Sequence, residues 1–439
     1  MCQIMSRLSL FILLLTICSH GLTQPTKDMD ITKQLSLVYS DTVNGKIYLG
    51  NYEPTGAISC NDSSYLISTI FSIDFPEQRD TTNLSGDFSK YYERYKLFAA
   101  KAHVSSGSVL KLDKDLNKIW EVTFKDKRVT HIIPFDTSSF IIAGERVDLN
   151  VIWIAKLNSK NGDIIWLKEF KAGHSLSTCG LTFANGKFYI LGETERIIPL
   201  KIKKYYGRTR IELFKETEMK SSLILLCVSE NGNLNWKKKL DPKKNYNYLG
   251  YNFISTNKNH FILASFTGFN KIKKEWVKDE SNAFYTLKPN GRINSKTLVA
   301  FDAMLYFDTT IIFTKTNISS DDIRVYKLSD TGINQTDSFF TPSDRKDIRV
   351  RAVLKSESNY YLYGSMQSNN KDYLVCSMTN DYKIIECRRH DKPDYNESIS
   401  LIETQDKNLL IIGWCYKRNE QTGNLYKYMN LIKFKKFGT

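Results

Sequence analysis

A two-part strand pattern recurs along this chain of 439 residues and leaves few folds open to it. One anchor is a strand that ends in a hydrophobic residue just before a turn. It falls at Leu112 (VLKLDKDL), Leu157 (IAKLNSKNG), Val228 (LLCVSENG), Leu287 (YTLKPNG), Leu328 (VYKLSDTG), Met378 (VCSMTNDY) and Phe434 (LIKFKKFG). The other is a later strand rich in Ile, Leu and Tyr that often closes on glycine. Its copies are FIIAG (140–144), FYILG (188–192), FILAS (261–265), TIIFT (310–314), YYLYG (360–364) and LLIIG (409–413), with IYLG (47–50) near the N-terminus. Residues 150–194 show the unit best, as two strand–turn–strand runs turning at Asn161-Gly162 and Asn185-Gly186. Asn-Gly adopts positive φ cheaply, so two such hairpins in succession predict a four-stranded antiparallel sheet.

The two ends of the chain complement each other. The final strand, 429–434, has no late strand after it, and the late strand at 46–51 has no first strand before it. Pairing them would remove two open sheet edges and close a ring. The expected fold is therefore all-β, a seven-bladed β-propeller of four-stranded antiparallel blades closed by pairing of the N- and C-terminal strands. One domain is expected over 24–439, with insertions near 54–103 and 196–220. The first insertion holds SYLISTIFSI (64–73) and a short helix expected in YYERYKLFAAKA (91–102). Both insertions follow a late strand, which places both near one face of the disc.

Three copies share a further detail. Trp120 and Phe124, Trp166 and Phe170, and Trp236 and Leu240 stand four residues apart, and on a strand such residues share a face. Each pair is expected to pack between neighbouring blades, because the tryptophans recur at a structural period. A stacking platform for a sugar or base is the alternative. The combined pattern, K-L-x-x-x-G-x-x-x-W-x-x-x-F with a late I-I-x-G strand, resembles the repeats of secreted quinoprotein-like and WD40-like β-propellers over roughly residues 31–437. Quinoprotein dehydrogenases would imply a bound quinone and calcium. Their adjacent cysteine pair is missing here, as are WD dipeptides and kelch double glycines.

The N-terminus has the form of a signal peptide over 1–23: one cation at Arg7, an apolar stretch at 8–17, and small residues around Ser19 and Gly21. About ten apolar residues are too few to cross a bilayer. Secretion to the extracellular space is expected. Cys60, Cys179, Cys227, Cys376, Cys387 and Cys415 would remain after cleavage. Cys376 and Cys387 flank a turn on neighbouring strands, where a bridge can reach; the others have no such argument. Glycosylation is expected at the sequons of Asn61, Asn83, Asn317, Asn334 and Asn396, in turns or loops.

The net charge of +15 favours acidic partners, although lysines scattered among asparagines can also be background composition. The insertion at 196–220 concentrates Lys201, Lys203, Lys204, Arg208 and Arg210 around Tyr205 and Tyr206, a set suited to gripping sulfate or phosphate groups. Glu212, Glu216 and Glu218 follow and offer the alternative of a solvated, ion-paired hairpin. Catalytic signatures are missing: the chain has no H-E-x-x-H, C-x-x-C, G-x-S-x-G or phosphate-loop motif. His103, His131, His174, His260 and His390 lie at irregular positions, without metal-ligand spacing. Asp113, Asp115, Asp321 and Asp322 read as turn caps rather than calcium ligands. The expected function is a secreted, non-catalytic binding propeller for an acidic glycan or an extracellular protein. No cofactor, nucleic acid or transmembrane segment is expected, and the protein is expected to be a monomer. The alternative is a secreted enzyme, a hydrolase or divergent oxidoreductase, with its site in the central channel.

Overall fold

The computed structural model describes residues 27–438 apart from 30, 38, 44–45, 75–102, 147–149, 173–175, 199–217, 241–245, 256–258, 271–274, 279–281, 300–302, 308–309, 315–321, 330–331, 341–347, 357–358, 367–372, 381–383, 391–395 and 419–424. No helix occurs among the described residues, and the helix expected at 91–102 lies outside them. The chain opens with β1 (Lys27–Asp28), β2 (Ile31–Leu37) and β3 (Tyr39–Val43). The first sheet follows with β4 (Lys46–Ser59), β5 (Tyr65–Asp74), β6 (His103–Leu112) and β7 (Lys118–Phe124). The second comprises β8 (Arg128–Pro134), β9 (Ser139–Arg146), β10 (Val151–Asn158) and β11 (Ile164–Lys171). The third comprises β12 (Leu176–Ala184), β13 (Lys187–Ile198), β14 (Glu218–Ser229) and β15 (Leu234–Leu240). In the fourth, β16 (Tyr246–Ser255) and β17 (His260–Asn270) precede a short β18 (Glu275–Lys278), then β19 (Asn282–Leu287) and β20 (Ile293–Val299). The fifth holds β21 (Ala303–Phe307), β22 (Thr310–Thr314), β23 (Asp322–Ser329) and β24 (Gly332–Phe340). The sixth holds β25 (Ile348–Lys355), β26 (Tyr360–Met366), β27 (Tyr373–Met378) and β28 (Ile384–His390). Finally β29 (Asn396–Glu403), β30 (Leu409–Arg418) and β31 (Leu425–Phe434) build the seventh.

Four of these sheets have four strands and three have five. Neighbouring strands run antiparallel except β1, which joins the sixth sheet parallel to β28. Side-by-side packing of the sheets gives the all-β, propeller-type arrangement expected from the repeat. Within the described residues each sheet packs on the next, and β29, β30 and β31 of the seventh lie against β4 of the first. The apolar residues gather in clusters between sheets. Leu66, Val109 and Phe124 of the first meet Val129, Phe140, Ile142 and Trp153 of the second. Equivalent clusters join the second and third, third and fourth, sixth and seventh, and seventh and first sheets.

The structure departs from the expected strand grouping in two places. The stretch 150–194 is not one sheet: β10 and β11 finish the second, while β12 and β13 begin the third. The strand paired with the C-terminal β31 is not IYLG but β2, in register from Ile31 opposite Phe434 to Leu37 opposite Met429. IYLG lies at the start of β4, where it pairs with β3 before the rest of β4 turns to β5. The stretch 54–103 begins as ordinary sheet, with Pro54 still in β4 and all of β5 inside it. The second stretch starts and ends as sheet too, since Arg196 pairs with Lys220 and Ile198 with Glu218.

The repeated motif residues are explained by what they touch in the next sheet. Trp120 lies against Gly162, Trp166 against Gly232 and Trp236 against Gly291, each glycine sitting in the turn before the last strand of the following sheet. The Trp120 indole also donates to the Lys160 carbonyl at 3.0 Å. All three glycines hold positive φ, between 75° and 81°, and a Cβ at any of them would press on the indole. Gly232→Ala is expected to destabilise the fold by about 1–3 kcal/mol, combining backbone strain with overpacking. Chemical denaturation checks this, with Gly186→Ala, whose nearest neighbour would be only the Glu230 side chain, as the milder comparison.

The lysine of the K-L anchor is a clamp. Lys111 is buried, pairs with Asp62 at 2.7 Å in the turn between β4 and β5, and donates to the Ser159 carbonyl of the second sheet at 2.8 Å. Lys433 repeats this with Asp406 at 2.7 Å and the Lys114 carbonyl of the first sheet at 3.3 Å. Lys156 pairs with Asp136 at 3.3 Å and covers the Phe135 ring.

Candidate active site

In each sheet the first strand begins, and the second ends, at the same edge of the meander. Near that edge the first strands of six sheets carry a β-bulge, skipping Thr55, Thr130, Cys179, Tyr251, Arg351 and Ile399 in their registers. A bulge bends its strand and re-aims the neighbouring side chains. Several bulges are tied to the adjacent sheet. Thr55 Oγ1 donates to the Val129 carbonyl at 2.8 Å, Tyr363 donates to the Ile399 carbonyl at 3.0 Å, and the His131 ring bonds the backbone of Cys179.

The seam between the second and third sheets gathers the groups with most chemical potential. Glu145 follows the glycine of FIIAG, stands opposite Arg128 at the start of β8, and is only 4% exposed. Its Oε2 accepts a hydrogen bond from the Thr178 backbone N–H at 2.8 Å, and Oε1 stands 3.7 Å from Arg128 Nη1. Burial pushes its pKa up, and the opposing pull of Thr178 and Arg128 does not cancel that. Glu193 follows the glycine of FYILG at the matching place in the third sheet and is also buried. Nearby, His131 keeps some solvent access while burial pushes its imidazole down to about 4, against the pull of the Cys179 backbone. That ring is neutral at pH 7, with Nδ1 3.0 Å from Thr130 Oγ1. The seam thus offers a carboxyl whose pKa burial raises, a partly exposed guanidinium and a neutral imidazole on adjoining strands.

Lys201, Lys203, Lys204, Arg208 and Arg210 lie outside the described residues, as do Asn83, Asn317 and His174. Asn61 is exposed in the turn between β4 and β5. Asn334 and Asn396, expected in turns or loops, stand in β24 and at the start of β29 instead. Cys376 and Cys387 lie directly opposite each other in β27 and β28 and form the expected disulfide. His260 is fully buried against the Pro289 carbonyl, a structural position. Asp113 caps its own turn through Asn117 and Asp115. The quinone and calcium implied by the quinoprotein resemblance find no fit: no two cysteines adjoin in the sequence, and no three His, Cys, Asp or Glu side chains converge among the described residues. Glu145, Glu193 and Arg128 are not among the candidates the sequence motifs single out. The available signal was the Gly-Glu pair that ends two successive late strands, AGER and LGET.

No protein family matches the chain, and no curated protein sequence matches it. Among solved structures it is similar to a protein from a study of two prolyl endopeptidases, with 10% identity and a TM-score of 0.44, over 92% of this chain and 57% of that one. The chain therefore spans a little over half the length of that protein. It is also similar to a neuraminidase-like protein of a flat-faced bat strain (10% identity, TM-score 0.36, 94% of this chain and 97% of that). A third likeness is to a luciferin-regenerating enzyme (9% identity, TM-score 0.38, 69% of this chain and 91% of that). At these identities the likeness concerns the fold. These neighbours are enzymes or enzyme-like by name, against the expectation of a propeller without catalysis; at this likeness they assign no role to the chain.

Proposed function

We propose that the protein is a secreted hydrolase on a seven-bladed propeller ring, released by removal of residues 1–23 and working by general acid catalysis at the seam of the second and third sheets. The observation that carries this reading is the buried Glu145 carboxyl, held by one backbone donor and one guanidinium, with a raised pKa. A carboxyl that keeps its proton closer to neutrality can deliver it to a leaving group. Arg128, more than a third exposed at its side chain, would hold an anionic or carbonyl oxygen of the substrate beside it. The neutral His131 would serve as a proton acceptor or a hydrogen-bond partner. A general acid must be protonated, so the rate should fall as pH rises through the raised pKa of Glu145.

The test uses the purified secreted protein against peptide, glycoside and ester substrates, beside Glu145→Gln. The amide still accepts from the Thr178 N–H, so the seam is retained while the proton is lost. Activity of the wild type with a loss of at least about 100-fold in the variant is expected. Absence of turnover on every class, or full activity in the variant, would overturn the reading.

A further inference from the structure

The large apolar side chains that stand exposed among the described residues all hold one place in the repeat. Ile119, Ile164, Ile165, Leu234 and Ile293 are 42% to 53% accessible. Ile119 is the second residue of β7, Ile164 and Ile165 open β11, Leu234 opens β15 and Ile293 opens β20, the last strands of the first four sheets. Each of those strands begins with a bulge, its pairing register skipping Ile119, Ile165, Asn235 or Asn294. A bulge turns side chains out of the ladder. Surface aliphatics scattered singly need no explanation, but a position repeated in four neighbouring sheets draws an apolar arc along the outer rim. The sixth sheet shows the same position covered. Ile385 is skipped in the same way in β28, and it is half-buried beside Gly438 of the C-terminal tail. The arc lies at the end of the meander opposite Glu145: Asn158, at the turn before β11, pairs with Ser139 at the start of β9, and Glu145 stands near the far end of that strand.

We infer that this arc rests on an anionic lipid surface. Exposed aliphatic side chains are stabilised by leaving water for the boundary between headgroups and acyl chains, and nearby cations add attraction to acidic headgroups. The four strands supply both. Beside the aliphatics they carry seven lysines against two glutamates, Glu121 and Glu169. A second copy of this chain fits less well, because it would bring the same positive excess, on a chain of net charge +15, against itself. Bound in this way, the protein turns the Glu145 seam toward solution. The inference does not depend on the hydrolase reading.

The test is cosedimentation of the purified protein with vesicles of phosphatidylcholine alone and of phosphatidylcholine mixed with phosphatidylglycerol. Preferential binding to the mixed vesicles is expected. A variant carrying Ile119→Gln, Ile164→Gln, Ile165→Gln, Leu234→Gln and Ile293→Gln keeps the net charge and is expected to bind them at least about tenfold more weakly. Failure of the wild type to sediment with either vesicle, or equal binding to both, would overturn the inference. So would undiminished binding by the variant, which would leave charge alone as the cause. Self-association of the wild type without lipid, rising with concentration and lost in the variant, would make a second copy the occupant and also overturns it. Ile165→Trp serves if the glutamine variant fails to fold, judged by the thermal melt. The added indole is expected to tighten binding to mixed vesicles and to be quenched by bromines on the acyl chains beyond the wild-type level. No added quenching would overturn the inference.

Discussion

Gly144→Ala should destabilise the protein by about 3 kcal/mol or more, at the upper end of what overpacking costs. A Cβ at this position would overlap the backbone carbonyl of Arg128 and stand 3.1 Å from the Trp153 indole nitrogen. A flexible side chain could swing away; a strand carbonyl cannot, because it belongs to the ladder joining β8 and β9. Gly144 pairs with Val129 one position before the bulge at Thr130, so the two strands approach most closely where the bulge pinches β8. The matching glycine of the third sheet, Gly192, would meet the Ile152 and Ile224 side chains rather than backbone. Gly192→Ala should therefore cost less, about 1–3 kcal/mol. Urea titrations of the two variants give the ordering, and equal costs would show that β8 yields as easily as an isoleucine does. Because Glu145 and Arg128 flank the strained contact, Gly144→Ala should also lower any activity that depends on Glu145, beyond what its stability predicts.

What the sequence reveals about this fold follows from the range of the interactions. Hairpins are local, and Asn-Gly between two apolar runs marks them, so the strands themselves are readable. Which hairpins share a sheet is not. The link from β9 to β10, inside the second sheet, and the link from β11 to β12, between sheets, are both only a few residues long. Length and composition therefore do not separate them, and a unit read from 150 to 194 straddles two sheets. The terminal pairing has a similar cause. IYLG resembles a late strand and is one by composition, while β2 (ITKQLSL) has only the modest alternation of Leu35 and Leu37 to recommend it. The disulfide was legible because the register of β27 and β28 follows from one short turn. The seam was not. Glu145 meets Thr178 across 33 positions and two sheets, and the Gly-Glu pair that ends its strand marks the position without showing that the carboxylate is buried.

Removing the carboxylate of Asp62 should destabilise the fold more than its surface position suggests. Asp62 has a side chain 59% exposed, yet its partner Lys111 is 4% exposed and also bonds a carbonyl of the next sheet. Breaking a buried pair by deleting one partner costs about 3–5 kcal/mol when the remaining charge is sealed in. Water reaching the ammonium through the exposed side of Asp62 reduces this, and about 1–3 kcal/mol is expected for Asp62→Ala. The diagnostic comparison is Lys111→Met. It keeps the apolar stem and removes the charge, so the double variant Asp62→Ala/Lys111→Met should recover much of the loss. A double variant no more stable than Asp62→Ala alone would show that the carboxylate matters for its turn, through Ser64, rather than for Lys111. The clamps also set the response to acid. Burial disfavours the charged forms of Asp62 and Asp406, but the lysine ammonium and the turn donors outweigh it and hold both carboxyls below their usual range. A depressed native pKa contributes stability that is fully present above the unfolded value of about 3.9 and lost as pH falls below it. Wild-type protein should therefore lose stability on acidification below about pH 4, and the double variant should lose less across the same interval. Thermal melts from pH 6 down to about pH 3 would show whether the two curves converge, as they must if the Lys111 clamp carries part of the acid sensitivity.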